Sequence, residues 1–233
     1  MLSRLADVLV PAFGRLTVTA DPGAALAPGS VVVANHSSLA DPAIVLAALR
    51  RLDVEPVVLA TAGLWSVPLL GRALTREGHV PVHRRDRRAA DSLTEAARAL
   101  ERGRVVLIYG EGGLPRRRDA AEAAPEAFRS GLARLVERTG APVVPLGQAG
   151  ARRITSGSRT KQLAGLFSAP LRRPRLHVHV GAPVDLSEVD CSRRTAHAHQ
   201  AVTAAWRTAA ARLGEKSTGP GPKLPGPSAD PTA

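Results

Sequence analysis

Ser30-Val31-Val32-Val33-Ala34-Asn35-His36-Ser37-Ser38-Leu39-Ala40-Asp41-Pro42-Ala43-Ile44-Val45 is the stretch whose reading decides the fold. Residues 30–34 (SVVVA) form a short β-branched run with no polar alternation, which reads as a buried strand. A polar turn follows. Asp41 then reads as a helix N-cap with Pro42 at the first helical position, opening a helix over 42–52 (PAIVLAALRRL). A buried strand feeding directly into a helix is the repeating unit of an α/β sheet.

The same alternation continues outward. Residues 54–60 hold VVLA and read as a strand, and 79–82 (HVPV) as a shorter one. Residues 87–102 carry Leu93, Ala96, Ala97 and Leu100 on one face, with charges opposite, and stop at Gly103: a helix. Strands are expected at 104–109 (RVVLIY) and 142–146 (PVVPL), and a helix over 128–139 stopped by Gly140. Residues 176–181 (LHVHVG) alternate like a half-exposed strand, and 191–213 form a long Ala-rich helix. The pattern predicts one α/β domain with a mostly parallel central sheet flanked by helices. We assign 1–20 to an amphipathic N-terminal segment, 21–213 to the domain, and 214–233 (GEKSTGPGPKLPGPSADPTA) to a disordered Pro/Gly-rich tail.

Composition narrows the function classes. The chain has 233 residues, 44% hydrophobic and 22% charged, which is ordinary for a globular protein and excludes wholesale disorder. Its one cysteine, Cys191, excludes an internal disulfide and a Cys-based zinc site. The net charge of +12 suits an anionic partner, although an Arg-rich, Lys-poor composition is also what a GC-rich coding sequence yields. Aromatics at 3% argue against single-stranded nucleic acid, which needs rings for base stacking. No run approaches the roughly 20 apolar residues of a membrane span. The N-terminus is no secretory signal, since Arg4 and Asp7 interrupt it and Pro11 breaks it. Leu2, Leu5, Leu9 and Phe13 recur at helical spacing, so the helix either docks on the core or lies in a membrane interface.

Four clusters could carry chemistry. His36 sits at a strand end and Asp41 at a helix start, close enough for the carboxylate to reach one imidazole nitrogen and raise the basicity of the other. As a bare spacing this is also a loop His beside a capping Asp. Tyr109-Gly110-Glu111-Gly112-Gly113-Leu114-Pro115-Arg116 follows a buried strand, and its glycines permit close backbone approach to a ligand, or simply a tight turn. Gly78-His79-Val80-Pro81-Val82-His83-Arg84 delivers an Arg suited to bidentate phosphate contact. Ala141-Pro142-Val143-Val144-Pro145-Leu146 is an apolar strand. His177 and His179 share one face of a strand with no recognisable carboxylate or Cys partner, and His197 and His199 diverge on a helix.

In this order the four resemble the blocks of the glycerolipid acyltransferase family, which includes the PlsC-like 1-acylglycerol-3-phosphate acyltransferases. Asn35, His36 and Asp41 match its Asn-His-x4-Asp block; Gly78, Val80, Val82 and Arg84 match Gly-x-Ile-x-Val/Ile-x-Arg. Glu111 and Gly112 match Phe-Pro-Glu-Gly-Thr-Arg-Ser, and residues 142–146 match Val-Pro-Val-Val-Pro-Val. Phe128-Arg129-Ser130-Gly131 is similar to the Phe-Lys-x-Gly before the fourth block. The third block departs at Tyr109, Gly110, Gly113 and Leu114, the last standing where the family often has Arg.

The resemblance implies a glycerol-3-phosphate acyltransferase-like fold and an acyl transfer from acyl-CoA or acyl carrier protein to a lysophospholipid hydroxyl. The leading acceptor is 1-acylglycerol-3-phosphate, giving phosphatidic acid. His36 would be the general base and Asp41 its orienting partner, with Arg84, Glu111, Gly112 and Arg116 holding the acceptor head group. Neither cofactor nor metal is implied, and nucleic acid is not. The expected place is an anionic membrane surface, peripheral on the inner, cytoplasmic face. Residues 56–70, with Leu64, Trp65 and Leu69, are the candidate acyl groove, or else plain core. The alternatives are another acceptor, a thioester or lipid hydrolase using the same dyad, and a non-catalytic basic membrane-binding module.

Overall fold

The valines of 31–33 and Ala34 form strand β2 (Val31–Ala34), and none of their side chains reaches solvent in the computed structural model, which describes residues 1–83, 89–115 and 121–215. Val32 and Ala34 enter one apolar cluster, Val31 and Val33 another. A strand presents successive side chains to opposite faces, so a strand with a core on each side must be apolar throughout.

The other strands are β1 (Arg15–Ala20), β3 (Val57–Thr61), β4 (Val80–Val82), β5 (Val106–Tyr109), β6 (Val143–Ala149) and β7 (Arg175–Val180). They form a seven-stranded sheet in the order β1-β7-β6-β2-β5-β3-β4. Every pairing is parallel except β6 with β7, so β1 and β7 run against the other five. Helices α1 (Leu2–Phe13), α2 (Asp41–Arg50) and α6 (Arg159–Arg172) contribute to the cluster on one face. Helices α4 (Ala89–Glu101), α5 (Gly131–Thr139) and α7 (Cys191–Arg212) contribute to the other. The short α3 (Leu70–Arg76) follows a 3-10 turn at Ala62–Ser66. The expected α/β class and mostly parallel sheet are the observed ones.

Four expectations change. The domain does not begin at 21: α1 docks on α2, one of the two readings its spacing allowed, and 15–20 form the edge strand β1, paired to β7 from the far end of the chain. The polar alternation of RLTVTA hides a strand whose partner lies so distant in sequence. Residues 176–181 are not half-exposed, because β7 is flanked by β1 and β6, and every residue from Leu176 to Val180 is buried. Its histidines are satisfied there. Thr17 Oγ1 lies 2.7 Å from His177 Nδ1, Thr19 Oγ1 2.9 Å from His177 Nε2 and from His179 Nδ1, and Asp21 Oδ1 3.1 Å from His179 Nε2. Burial pushes the His177 imidazole down to about 4, with His179 and Arg212 adding to it. The helix expected from 128 starts at Gly131. Asp41 is the first residue of α2, with Ala40 at the cap position, and its side chain turns back to the preceding loop. The tail expected at 214–233 lies outside the described residues from 216 onward.

Helix α7 lies directly on β6 at Gly147. A Cβ added there would stand 2.1 Å from the backbone of Ala205 and Trp206. Helix backbone cannot rotate away as a side chain can, so Gly147→Ala must lift α7. Overpacking of this kind costs about 1–3 kcal/mol or more, and Tm is expected to fall by roughly 5–10 °C. An unchanged melting curve would contradict this contact.

Candidate active site

Parallel register assembles the site before any side chain is considered. Ala34 is paired with Tyr109 on one side and with Leu146 on the other. Two residues further along each strand come His36, Glu111 and Gln148, at the C-terminal ends of adjacent strands where α/β sheets form their sites. Asn35 extends the ladder with its side chain: Nδ2 donates to Gln148 O at 3.0 Å, and Gln148 N donates to Oδ1 at 2.8 Å. Its amide thus stands in for a peptide group where β2 has ended.

The chain then turns within a few residues and returns at Asp41, which is fully buried. Asp41 Oδ2 lies 2.9 Å from His36 Nδ1 and accepts from Ser37 N at 2.5 Å and Ser38 N at 2.8 Å. The imidazole therefore carries its proton on Nδ1 toward the carboxylate, and Nε2 is left as the basic nitrogen. On the other side, Glu111 Oε2 accepts from His36 N at 2.5 Å and Oε1 from Glu126 N at 3.0 Å. The amides of His36, Ser37 and Ser38, three in succession, are each held by a carboxylate. Tyr109 stacks on His36 with ring centroids 4.4 Å apart. Burial, then the Asp41 charge, pushes its hydroxyl well above the ordinary tyrosine range, so it stays neutral.

The structure brings His36, Asp41, Glu111 and Gly112 together. Arg84 and Arg116 lie outside the described residues. Both oxygens of Glu111 are engaged by the backbone, so this carboxylate braces the two loops. Gly112 has φ +66, in the left-handed region. Sequence reasoning missed several members of the site. Gln148 Nε2 donates to Ser37 Oγ at 3.1 Å, and the buried Arg152 donates from Nη1 to Ser37 O at 3.0 Å. Ser38 Oγ bonds Thr155 through its hydroxyl and carbonyl. Glu122 accepts from Gly150 N at 2.7 Å, and burial raises its pKa. Gln148 had a legible signal: it is the polar residue in an apolar strand that runs on beyond 146.

An apolar groove of 610 Å³ opens beside this loop. Leu9 and Phe13 of α1, Leu39 and Ile44 around the His36–Asp41 turn, and Leu163 and Leu166 of α6 line it. The groove expected at 56–70 contributes nothing to it; Leu64 and Trp65 are half-buried, and Leu69 is exposed with φ 64. Among the described residues no cluster of His, Cys, Asp and Glu could hold a metal ion.

Residues 15–148 match the family described as Acyltransferase. The chain belongs to that family. It is 30% identical over 117 residues to the chloroplastic 1-acyl-sn-glycerol-3-phosphate acyltransferase BAT2 of Brassica napus. It is 29% identical over 118 residues to the chloroplastic 1-acyl-sn-glycerol-3-phosphate acyltransferase LPAT1 of Arabidopsis thaliana. Each match covers 50% of this chain and 31% of the relative, so the chain matches about a third of these curated proteins' length. The fold is similar to the crystal structure of the 1-acyl-sn-glycerophosphate acyltransferase PlsC from Thermotoga maritima, with a TM-score of 0.68. At 17% identity that match covers 93% of this chain and 80% of the other, and it speaks to fold alone.

The brace at Glu111 is sensitive to pH. Burial pushes its carboxyl from 4.5 up to about 8; the two backbone bonds oppose the rise and the Asp41 charge adds to it. Between those values the folded protein holds a proton that the unfolded chain has released. Stability from this group is therefore fully present below pH 4.5 and falls as pH rises towards about 8. Denaturant melts of wild type and Glu111→Gln across that range should diverge in slope, the variant losing this part of the decline. Parallel profiles would refute the raised pKa.

Proposed function

We propose that this protein transfers an acyl group from a thioester, acyl-CoA or acyl carrier protein, to a lysophospholipid hydroxyl, with 1-acylglycerol-3-phosphate as the acceptor. The observation that carries this reading is the 2.9 Å contact of His36 Nδ1 with a buried Asp41, set beside an apolar groove. His36 Nε2 takes the hydroxyl proton as the acceptor oxygen attacks the thioester carbonyl. The new C–O bond forms, the C–S bond breaks, and the departing thiolate recovers a proton from the imidazolium. Asp41 holds the ring and offsets its positive charge. No enzyme nucleophile is needed, which leaves Ser37 and Ser38 as loop residues whose bonds keep the turn closed. The groove suits the apolar chain of either substrate, because Leu39 joins it to the catalytic turn. The phosphate is assigned to Arg84, on the pattern of the second block.

Association with an anionic membrane surface accompanies this reading. The charge of +12 supports it, as does α1, which buries Ser3, Ala6 and Val10 while Leu5, Val8 and Leu9 stay exposed. No helix among the described residues is long and apolar enough to cross a membrane.

Labelled acyl donor and a panel of lysolipids, scored by product mass, test the chemistry. His36→Ala is expected to lose about 10²–10⁴ in rate with its melting temperature unchanged. Wild-type turnover in that variant would end the assignment, and free fatty acid as the main product would indicate hydrolysis. Arg84→Ala should lose roughly tenfold or more in kcat/KM on 1-acylglycerol-3-phosphate and little on a neutral monoacylglycerol. Equal loss on both would remove Arg84 from phosphate recognition.

A further inference from the structure

Helix α6 is packed inside out. Its inward side is made of small residues: Ala169 is fully buried, and a Cβ on Gly165 would stand 2.3 Å from Ile154 O. Its large apolar residues point the other way. Leu163, Leu166, Phe167 and Leu171 recur at the spacing of a single helical stripe, and all are exposed, Phe167 at 80% and Leu171 at 91%. A core-facing helix does the reverse. Helix α1, which touches α6, repeats the inversion with Val8 74% exposed. Arg173 ties the two by donating to Pro11 O at 3.1 Å. Monomeric proteins seldom leave so much contiguous apolar surface uncovered.

Charge identifies the occupant. Arg159, Lys161, Arg172 and Arg173 are exposed on this helix and its C-terminal end, Arg172 also donating to Arg153 O and Gly165 O, and residues 159–173 contain no Asp or Glu. A second copy meeting this face with its own would bring these cations against one another. An anionic bilayer accepts the apolar stripe below the head groups and the cations at head-group level, which is how interfacial amphipathic helices sit. Leu163 and Leu166 line the groove, together with Leu39 beside His36.

We propose that α6 is the principal membrane-seating helix of this protein, lying in the surface of an anionic bilayer with Phe167 and Leu171 inserted. The proposal rests on the lipid-acyltransferase reading for its purpose, since it would place the mouth of the groove at the lipid surface.

Phe167 and Leu171 lie outside the groove lining, so replacing them leaves the site intact. Sedimentation with phosphatidylcholine vesicles containing about one-third phosphatidylglycerol reads the contact directly. Phe167→Ser/Leu171→Ser keeps the charge and should weaken vesicle binding at least about tenfold, given the apolar area withdrawn. Its melting temperature and its turnover of short-chain, water-soluble substrates should match wild type. Pure phosphatidylcholine vesicles should bind wild type more weakly, and Arg172→Gln/Arg173→Gln should erase that preference. Wild-type binding by the Phe167/Leu171 variant would overturn the proposal even if acyl transfer is confirmed. Vesicle binding lost in that variant, with no transferase activity in wild type, would uphold the seating helix and discard the reaction. A wild-type dimer that the variant dissociates, without vesicle binding, would assign the face to a second copy and overturn the proposal.

Discussion

The turn between β2 and α2 depends on one buried carboxylate. Among the described residues no lysine or arginine bonds Asp41; it is met by two backbone amides, the Ser37 hydroxyl and the His36 imidazole. Burying a carboxylate so completely is tolerable only when its charge is met by donors. Here the donors come from the loop that the carboxylate itself folds back. Its position at the start of α2 adds the helix dipole, whose positive end favours an anion there. Because Ile44, Val45, Ala47, Ala48 and Leu49 fix α2 in the core, Asp41 is placed by packing, and the imidazole takes its position from Asp41. Removing the carboxylate would leave several buried donors without partners at once.

Glu111 holds the same loop from the opposite side, and the two acids differ in character. Asp41 sits at a helix start among four donors. Glu111 has two backbone donors, and burial drives it towards neutrality. Glu111 braces the loop through its two backbone bonds, and Asp41 holds the His36 ring.

Much of this was legible in the sequence because it is local. The strand–turn–helix of residues 30–52 is written in consecutive residues, and the short turn brings Asp41 within reach of His36, a pairing that the spacing allows and the structure shows. The buried strands β2, β5 and β6 were visible as unbroken apolar runs. What stayed hidden depends on partners distant in the chain. Strand β1 is half-polar and reads as loop until β7 lies beside it. The alternation of β7 suggests a solvent face, but its histidines face Thr17, Thr19 and Asp21. The apolar stripe of α1 leaves core and membrane both open, since periodicity shows that a helix has an apolar face without showing which way it turns, and α6 went unread in the sequence.

The third block shows how a departure in sequence becomes a feature of the site. Where the family pattern has Pro, this chain has Gly110, and a Cβ there would stand 2.4 Å from the Phe128 ring. The ring occupies that space, with its edge against His199 of α7 at a centroid distance of 5.0 Å. The backbone closes around it, Gly110 O accepting from Arg129 N at 2.9 Å. The neighbouring substitution works on the other side of the strand end. Tyr109 puts a flat ring against His36, the two stacked with centroids 4.4 Å apart. The pair Tyr109–Gly110 thus stacks against His36 and admits Phe128 beside it. The glycine that loosens the motif in sequence lets the site pack tightly in space.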